Sequence, residues 1–391
     1  MTTTDGSAYY LKPPTFDEDL VRVGRGTPGG ELLRRYWHPV AVASEVKDLP
    51  IAIRALGEDL ILFRTTGGAF GLVHPRCCHR GTTLLYGRVE EQGIRCCYHG
   101  WLFGPEGHCL DQPCEPGGGE KRENYRQPWY PVQERYGLVF AYLGPPAKRP
   151  PLPRYDVLEE IPDGFELVAD GNTIPSGGPP IMACNWFQTH ENAMDPLHLP
   201  VLHKDQFPPA MTGGFADLGF EAHDAGVFGH SRMDLPGDTK MFFSAEVLLP
   251  NVRIIPDPLL GTFGPSNNVG WTLPIDDTQT RIFTVLKMPI GARYPSSREF
   301  ATYGGKTWWE LDAEGHQRFP GDNEAQTGQG VITFHSEERL AWSDRGVALW
   351  RKVFRKGMDA VARGEDPPLA FGAGEIVITV RAASEMVVGG A

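Results

Sequence analysis

Two short segments of this chain each place a histidine just after a cysteine. They are Cys77-Cys78-His79 and, 16 intervening residues later, Cys96-Cys97-Tyr98-His99. Any fold that uses these side chains together must bring two loops face to face around a metal. Four such ligands could hold one zinc ion. The usual zinc-finger order, however, puts both cysteines in one loop and both histidines in the other. Here each loop supplies one of each. Two thiolates on one iron and two imidazoles on a second is the ligand set of a [2Fe–2S] centre that carries single electrons at a raised potential. The spacing selects Cys77 and Cys96, because only they give both C-x-H and C-x-x-H. Cys78 and Cys97 read as spare thiols, or as a pair bonded to each other. Gly81 and Gly100, just past the histidines, allow tight loops whose backbone N–H groups point at sulfur. A chain that takes up single electrons in this way needs something to consume them.

Composition narrows the setting. The chain has 391 residues, 41% hydrophobic and 22% charged, enough for two or three domains with ample core. The net charge of −12 argues against a nucleic-acid partner. No apolar run approaches the roughly 18 residues of a membrane span. The first residues lack the basic and apolar regions of a signal peptide. Seven cysteines, four of them in two loops, do not make a disulfide scaffold, and a reducing cytoplasm is expected. Arg76, Arg80, Arg88 and Arg95 surround the loops, against Glu90 and Glu91. They read equally as a basic rim for an acidic redox donor or as an ordinary solvated surface.

Punctuation by glycine and proline organises the chain. Residues 17–37 read as partly helical, with Leu32, Leu33, Tyr36 and Trp37 on one stripe and Pro39 ending the element. Short runs at Ile51–Leu56, Leu60–Phe63 and Phe70–Val73 read as an antiparallel meander leading into the first loop, and Tyr136–Leu143 as a further strand. Residues 144–151, Gly-Pro-Pro-Ala-Lys-Arg-Pro-Pro, read as a linker. The expected division is a helical segment at 1–38 packed on the second domain, the cluster domain at 39–148 and a catalytic domain at 149–391. In the last, strands at Phe242–Leu249, Arg281–Met288 and Glu375–Val380 precede or follow a helix over 344–362. Val347, Trp350, Phe354 and Val361 form the apolar face of that helix, and Ser343 or Asp344 is its N-cap.

The electron consumer is legible at Asn192, Asp195, His198 and His203, an N-x-x-D-x-x-H-x4-H pattern. Two imidazoles and a carboxylate bind one face of a non-haem iron and leave positions open for O2 and water. On a regular helix, positions five apart point about 140° apart. Both imidazoles therefore reach one metal only if the helix breaks, and Pro196 and Pro200 supply the breaks. The carboxylate must come from further along: Asp312, Glu314, Asp322, Glu324, Glu337, Glu338 and Asp344 are the candidates.

These segments resemble the bacterial aromatic-ring oxygenases of the Rieske non-haem iron family. Their loops read C-x-H-R-G and C-x-Y-H-G-W, and their iron segment reads Asn/Asp-x-x-Asp-x-x-His-x4-His. The match runs from about residue 30 to about residue 366. The resemblance implies Cys77, His79, Cys96 and His99 on the cluster, and His198 and His203 on the iron. It is closest to the phthalate-dioxygenase branch, where an aspartate shortly precedes a Gln-Gly pair. That points to Asp322 ahead of Gln329-Gly330 as third ligand, with Glu324 next. It gives Asp195 the electron route between an iron histidine and a cluster histidine of the neighbouring subunit, and places Asn192 near the metal.

The implied fold is α+β: an antiparallel Rieske domain beside an antiparallel sheet flanked by helices, of helix-grip type. A homotrimer, or a dimer of trimers, is implied. Electrons come from NAD(P)H through a separate flavin reductase, a ferredoxin, or both, since no dinucleotide-binding motif is present. O2 and a small aromatic substrate, above all an aromatic acid, meet at the mononuclear Fe(II). O-demethylation of aryl methyl ethers is the close alternative, and electron transfer or redox sensing without oxygenation the distant one. Phe207, Phe215, Phe220, Phe243 and Trp271 are expected around the pocket. Arg253 and Arg281 are candidates for an acidic substrate.

Overall fold

Three antiparallel sheets form the first part of the molecule. In this computed structural model the described residues are 8, 11–171, 178–203, 215–235, 237–256, 264–292, 304–370 and 374–388. The meander is present as Ile51–Ala55, Glu58–Arg64 and Phe70–Val73, joined by Trp129–Tyr130 into four strands. Four two- and three-residue strands, Arg88–Val89, Ile94–Arg95, Leu102–Phe103 and Cys109–Asp111, make a second sheet that carries the other loop. Trp37–Val42, Leu138–Tyr142 and Val132–Arg135 make the third. Helices occupy Glu18–Val21 and Pro28–Leu33. Pro39 does not end the helical element. That helix stops at Leu33, and Pro39 sits inside Trp37–Val42, where the register with Leu138–Tyr142 shifts. A bulge is where a strand tolerates proline.

The second part is built on a ten-stranded antiparallel sheet. Long strands at Phe215–His223, Gly226–Leu235, Thr239–Leu248, Asn268–Pro274 and Thr280–Pro289 carry it. Phe165–Asp170 adds an edge that the sequence pattern did not mark, and the expected strand at Glu375–Val380 shrinks to Val377–Ile378. The helix Arg345–Ala362 lies on one face, with Trp350 and Phe354 fully buried. Each such aromatic contributes on the order of 2–3 kcal/mol of transfer energy. Asp344 occupies the N-cap position, but its carboxylate instead accepts from the Ala341 N–H (2.6 Å), capping the short turn before the helix.

Register tells the two faces of the sheet apart. Val247 lies opposite Arg253, and Arg253 opposite Gly270, so these share one face, with Thr272 two residues on. Val252 lies opposite Trp271 on the other face. There Trp271 meets Phe140 and Tyr155 edge-on, at 5.4 and 5.5 Å. Trp271 is therefore a core residue turned toward the first part of the molecule, not a pocket residue as expected. Arg281 belongs to the same side. Its Nε donates to the Gly171 carbonyl (2.6 Å) and its Nη2 lies 3.5 Å from Glu45, so it joins the two parts.

Candidate metal centres

The two Cys/His loops are near copies of each other. The Gly81 N–H donates to the Cys77 carbonyl (2.9 Å), and the Gly100 N–H to the Cys96 carbonyl (3.1 Å). Both glycines have positive φ, 78° and 73°, which closes each loop at no steric cost. The fold then sorts the four side chains by chemistry. Cys77 and Cys96 are buried and adjacent, while the His79 and His99 rings stand nearer the surface with centroids 4.6 Å apart. Burial pushes the Cys77 thiol up to about 12. The His79 backbone N–H bonded to it works the other way, and the neighbouring Cys96 adds to the rise. The buried Cys77 thiol is a poor anion until a cation joins it. The donors thus fit a cluster with sulfur ligands at one end and imidazoles at the other. Among the described residues, the one set of three or more ligand atoms that lies within 4.8 Å is elsewhere, as a single ion shared by these four would not allow.

Gln127, which the pattern did not reveal, and Trp101, which ends it, hold these loops. Buried Gln127 accepts from the Cys78 N–H (2.7 Å) and donates to the His74 and Arg76 carbonyls (2.7 and 2.9 Å). The Trp101 ring stacks flat on His79, centroids 4.4 Å apart. Cys78 and Cys97 are both free and exposed. Of the basic rim, Arg88 and Arg95 are engaged by Glu90, and Arg95 also by Asp111. Arg80 lies over the Tyr98 ring (5.5 Å).

The second site begins where the helix Trp186–Glu191 breaks. Short 3₁₀ turns at Asn192–Met194 and Pro196–His198 follow, then a single turn at Leu199–Leu202. Pro196 and Pro200 each sit in a first turn, so the breaks fall where the sequence placed them. The result turns both imidazoles inward: His198, His203 and Asp322 offer ligand atoms that all lie within 4.8 Å of one another. His198 Nε2 is 3.8 Å from Asp322 Oδ1, and His203 Nε2 is 3.4 Å from Oδ2. The Asp195 backbone carbonyl accepts from His198 Nδ1, which leaves Nε2 free to face the centre. The Asp195 carboxylate accepts from the Leu197 N–H (3.1 Å) and stays about a third exposed. The Asn192 amide nitrogen stands 3.5 Å from His198 Nε2.

Asp322 is buried, and its Oδ1 has no hydrogen-bond partner. Burial pulls its pKa up, but the hydrogen bond and charge of His203 outweigh that, followed by His198 and Arg253, and it settles at about 2. A carboxylate held ionised beside two imidazoles, with a lone pair unanswered, fits a divalent cation. Three of the competing carboxylates are engaged elsewhere. Glu324 accepts from the Trp308 indole (2.7 Å) and the Gly321 N–H (2.9 Å), Asp312 caps the next helix at Gly315, and Glu338 pairs with Arg351.

Two buried clamps bring the distant aspartate to the histidines, and neither has a motif. Gln188 donates to the carbonyls of Gln326 (2.7 Å) and Gly330 (3.0 Å) and accepts from the Thr333 N–H (2.9 Å). This ties the helix Asp322–Thr327 to the helix that leads into the histidines. Arg351 grips both Glu191 (2.5 and 2.7 Å) and Glu338 (2.6 and 2.8 Å). Burial works against its charge, and the two carboxylates more than offset it. Of the expected pocket residues, Phe220 packs beneath Met194 and Gly346, so closely that a Cβ at Gly346 would stand 2.5 Å from its ring. Phe243 shares the sheet face of Val247 and Arg253. Phe207 and the side chain of Phe215 lie outside the described residues.

Residues 36–131 match the family model of the Rieske [2Fe–2S] domain. The chain is 46% identical over 387 residues to a phenoxybenzoate dioxygenase subunit alpha of Ectopseudomonas oleovorans, covering 96% of this chain and 93% of that one. It is 34% identical to the tert-butanol monooxygenase / tert-amyl alcohol desaturase oxygenase subunit of Aquincola tertiaricarbonis, covering 90% and 77%. The fold superposes on a QL mutant of NdmA from Pseudomonas putida CBB5, solved with theobromine, at a TM-score of 0.62. That pair is 18% identical, with 93% of this chain and 98% of that one covered.

Proposed function

Because the chain belongs to the Rieske non-haem iron oxygenases, as their α-only terminal component, we propose that it hydroxylates an aromatic acid, with Cys77, His79, Cys96 and His99 on the [2Fe–2S] cluster and His198, His203 and Asp322 on the mononuclear iron. The observation that carries this reading is the convergence of His198, His203 and Asp322 in a chain that also holds the two Cys/His loops. A bound ferrous ion supplies the O2 chemistry. The protein's own part is to orient and to exclude. The Asp195 carbonyl fixes the His198 tautomer, burial of His203 and Asp322 keeps bulk water from two of the three ligands, and Asn192 offers an amide donor to whatever occupies the open positions. Components of this family receive electrons from a reductase, directly or through a ferredoxin.

Phenoxybenzoate, taken from the most similar of these relatives, is the first substrate to try. The carboxylate of Asp195, exposed on one side of His198, suits a bridge to a cluster histidine of a second copy, and so a homotrimer in which each cluster serves the next iron. Residues 39–148 and 149–391 are taken as the two working domains, and the seven free cysteines suit the cytoplasm. The test is O2 uptake by the reconstituted protein with a surrogate reductase, coupled to product. Phenoxybenzoate should give a ring-hydroxylated acid. Release of formaldehyde from aryl methyl ethers with no such product would assign the demethylase reading instead, and reduction of the cluster without O2 uptake would leave an electron carrier. Asp195→Asn should keep both metals and abolish turnover, and normal turnover would refute the bridge.

A further inference from the structure

A buried cation beside the mononuclear site has no work in the reading above. Arg253 is about 5% exposed, and no hydrogen bond or ion pair engages its guanidinium among the described residues. Its Nη1 is buried and unsatisfied. A guanidinium in that state is costly, because burying a charge without a partner forfeits its hydration. Its neighbours do not answer it. Gly270 lies directly under its aliphatic stem, where a Cβ would stand 3.1 Å from Cγ. His190 is buried on the same sheet face with its Nδ1 on Thr272 Oγ1 (3.2 Å), and it feels Arg253 as a like charge. Asp322 feels it as an opposite charge, but faces the two histidines. Burial lowers the hold of Arg253 on its proton to about 10, with Asp322 working the other way, so it stays a cation at neutral pH.

The placement is that of a substrate anchor. Arg253 shares its sheet face with its neighbours Val247, Gly270 and Thr272, and Phe243 and Phe220 lie further along the same face, so no other charged group stands beside it in the register. With a divalent ion held by one carboxylate and two neutral imidazoles, the site carries excess positive charge even before Arg253 is added. An anion is what such a site lacks, and the planar fork of a guanidinium matches a carboxylate in two parallel hydrogen bonds. We propose that Arg253 is the specificity-determining residue of this oxygenase, pairing with the carboxylate of an aromatic acid and so fixing which ring edge faces the iron. This deepens the function proposed above and rests on it.

The test uses the iron- and cluster-loaded protein with two matched probes, phenoxybenzoate and phenoxybenzamide, whose shapes agree and whose charges differ. Binding is measured by calorimetry, and iron content and visible spectrum are recorded for every variant. The wild type should bind the acid at least about thirtyfold more tightly than the amide, the scale of one desolvated charge pair. Arg253→Gln should bring the acid down to the affinity of the amide, leave the amide unchanged and keep its iron. Arg253→Lys should keep part of the preference. Equal loss of both probes, loss of iron, or a wild type that does not prefer the acid would overturn the anchor. The two proposals separate cleanly. Tight binding of the acid without O2 uptake would sink the oxygenase reading alone, and turnover of neutral aryl compounds in preference to acids would sink the anchor alone.

Discussion

The two centres are assembled in opposite ways. All four residues proposed for the cluster fall between Cys77 and His99, and each loop is closed by its own backbone, through Gly81 to Cys77 and Gly100 to Cys96. The proposed mononuclear site draws two candidate ligands from one broken helix and the third, Asp322, from much further along the chain. Its geometry depends on Gln188 and Arg351, side chains that touch no ligand atom but fix the elements that carry them. The first centre is a local structure, and the second is a product of tertiary packing. Damage to the two should therefore spread differently.

The sharpest way to separate them is Asp322→Ala. It should strip the mononuclear iron and reduce O2-coupled turnover to background, while acid-labile sulfide and the visible spectrum of the cluster stay as in the wild type. Metal analysis reads both at once, and joint loss of the two centres would show that they are not independent. Next in size is Arg351→Met. It leaves Glu191 and Glu338 facing each other without their cation, and removing one partner of such a buried set costs about 3–5 kcal/mol. Thermal unfolding should fall accordingly. Adding Glu191→Gln should recover part of the loss, because it removes the charge left behind. Gln188→Leu should be milder, on the order of 1–3 kcal/mol, since it leaves two carbonyls and one N–H unanswered. Its distinctive mark is weaker iron retention with an unchanged cluster.

The same contrast explains what the sequence disclosed. A spacing can announce a centre whose candidate ligands share a turn, so the sequence could propose Cys77, His79, Cys96 and His99 for the cluster and His198 and His203 for the iron, and it placed the prolines where their helix breaks. Asp322 was reached through the Gln-Gly pair that follows it, because nothing local separates it from Glu324 two residues away. The structure separates them by use: Glu324 caps its own helix and holds Trp308. The clamps Gln127, Gln188 and Arg351 left no trace, since a polar residue acquires such a role only from what folding sets against it. The face of a strand was equally hidden. Arg253 and Arg281 looked alike as candidates, yet register puts them on opposite faces of the sheet, and Arg281 goes to Gly171 and Glu45. Pro39 misled for the opposite reason. Proline reads as a terminator, but here it lies in a bulge of a strand.

The smallest expected effect tests the local centre most strictly. Cys78 and Cys97 lie one residue from the two thiols assigned to the cluster, and both are exposed, while Cys77 and Cys96 are buried against each other. If loop geometry alone selects the ligand, replacing both neighbours by alanine should change nothing that depends on the cluster. Acid-labile sulfide, visible absorption and reduction potential should match the wild type, and stability should move by no more than about 0.5 kcal/mol, as for exposed positions without special backbone. The Cys78 backbone N–H keeps its bond to Gln127 in the variant, so the first loop retains its brace. Cys77→Ala, in contrast, should bleach the protein. If the double variant bleaches too, or Cys77→Ala keeps its colour, the neighbouring thiols are acting as ligands, and the centre is less fixed by its turns than the matched glycines at 81 and 100 imply.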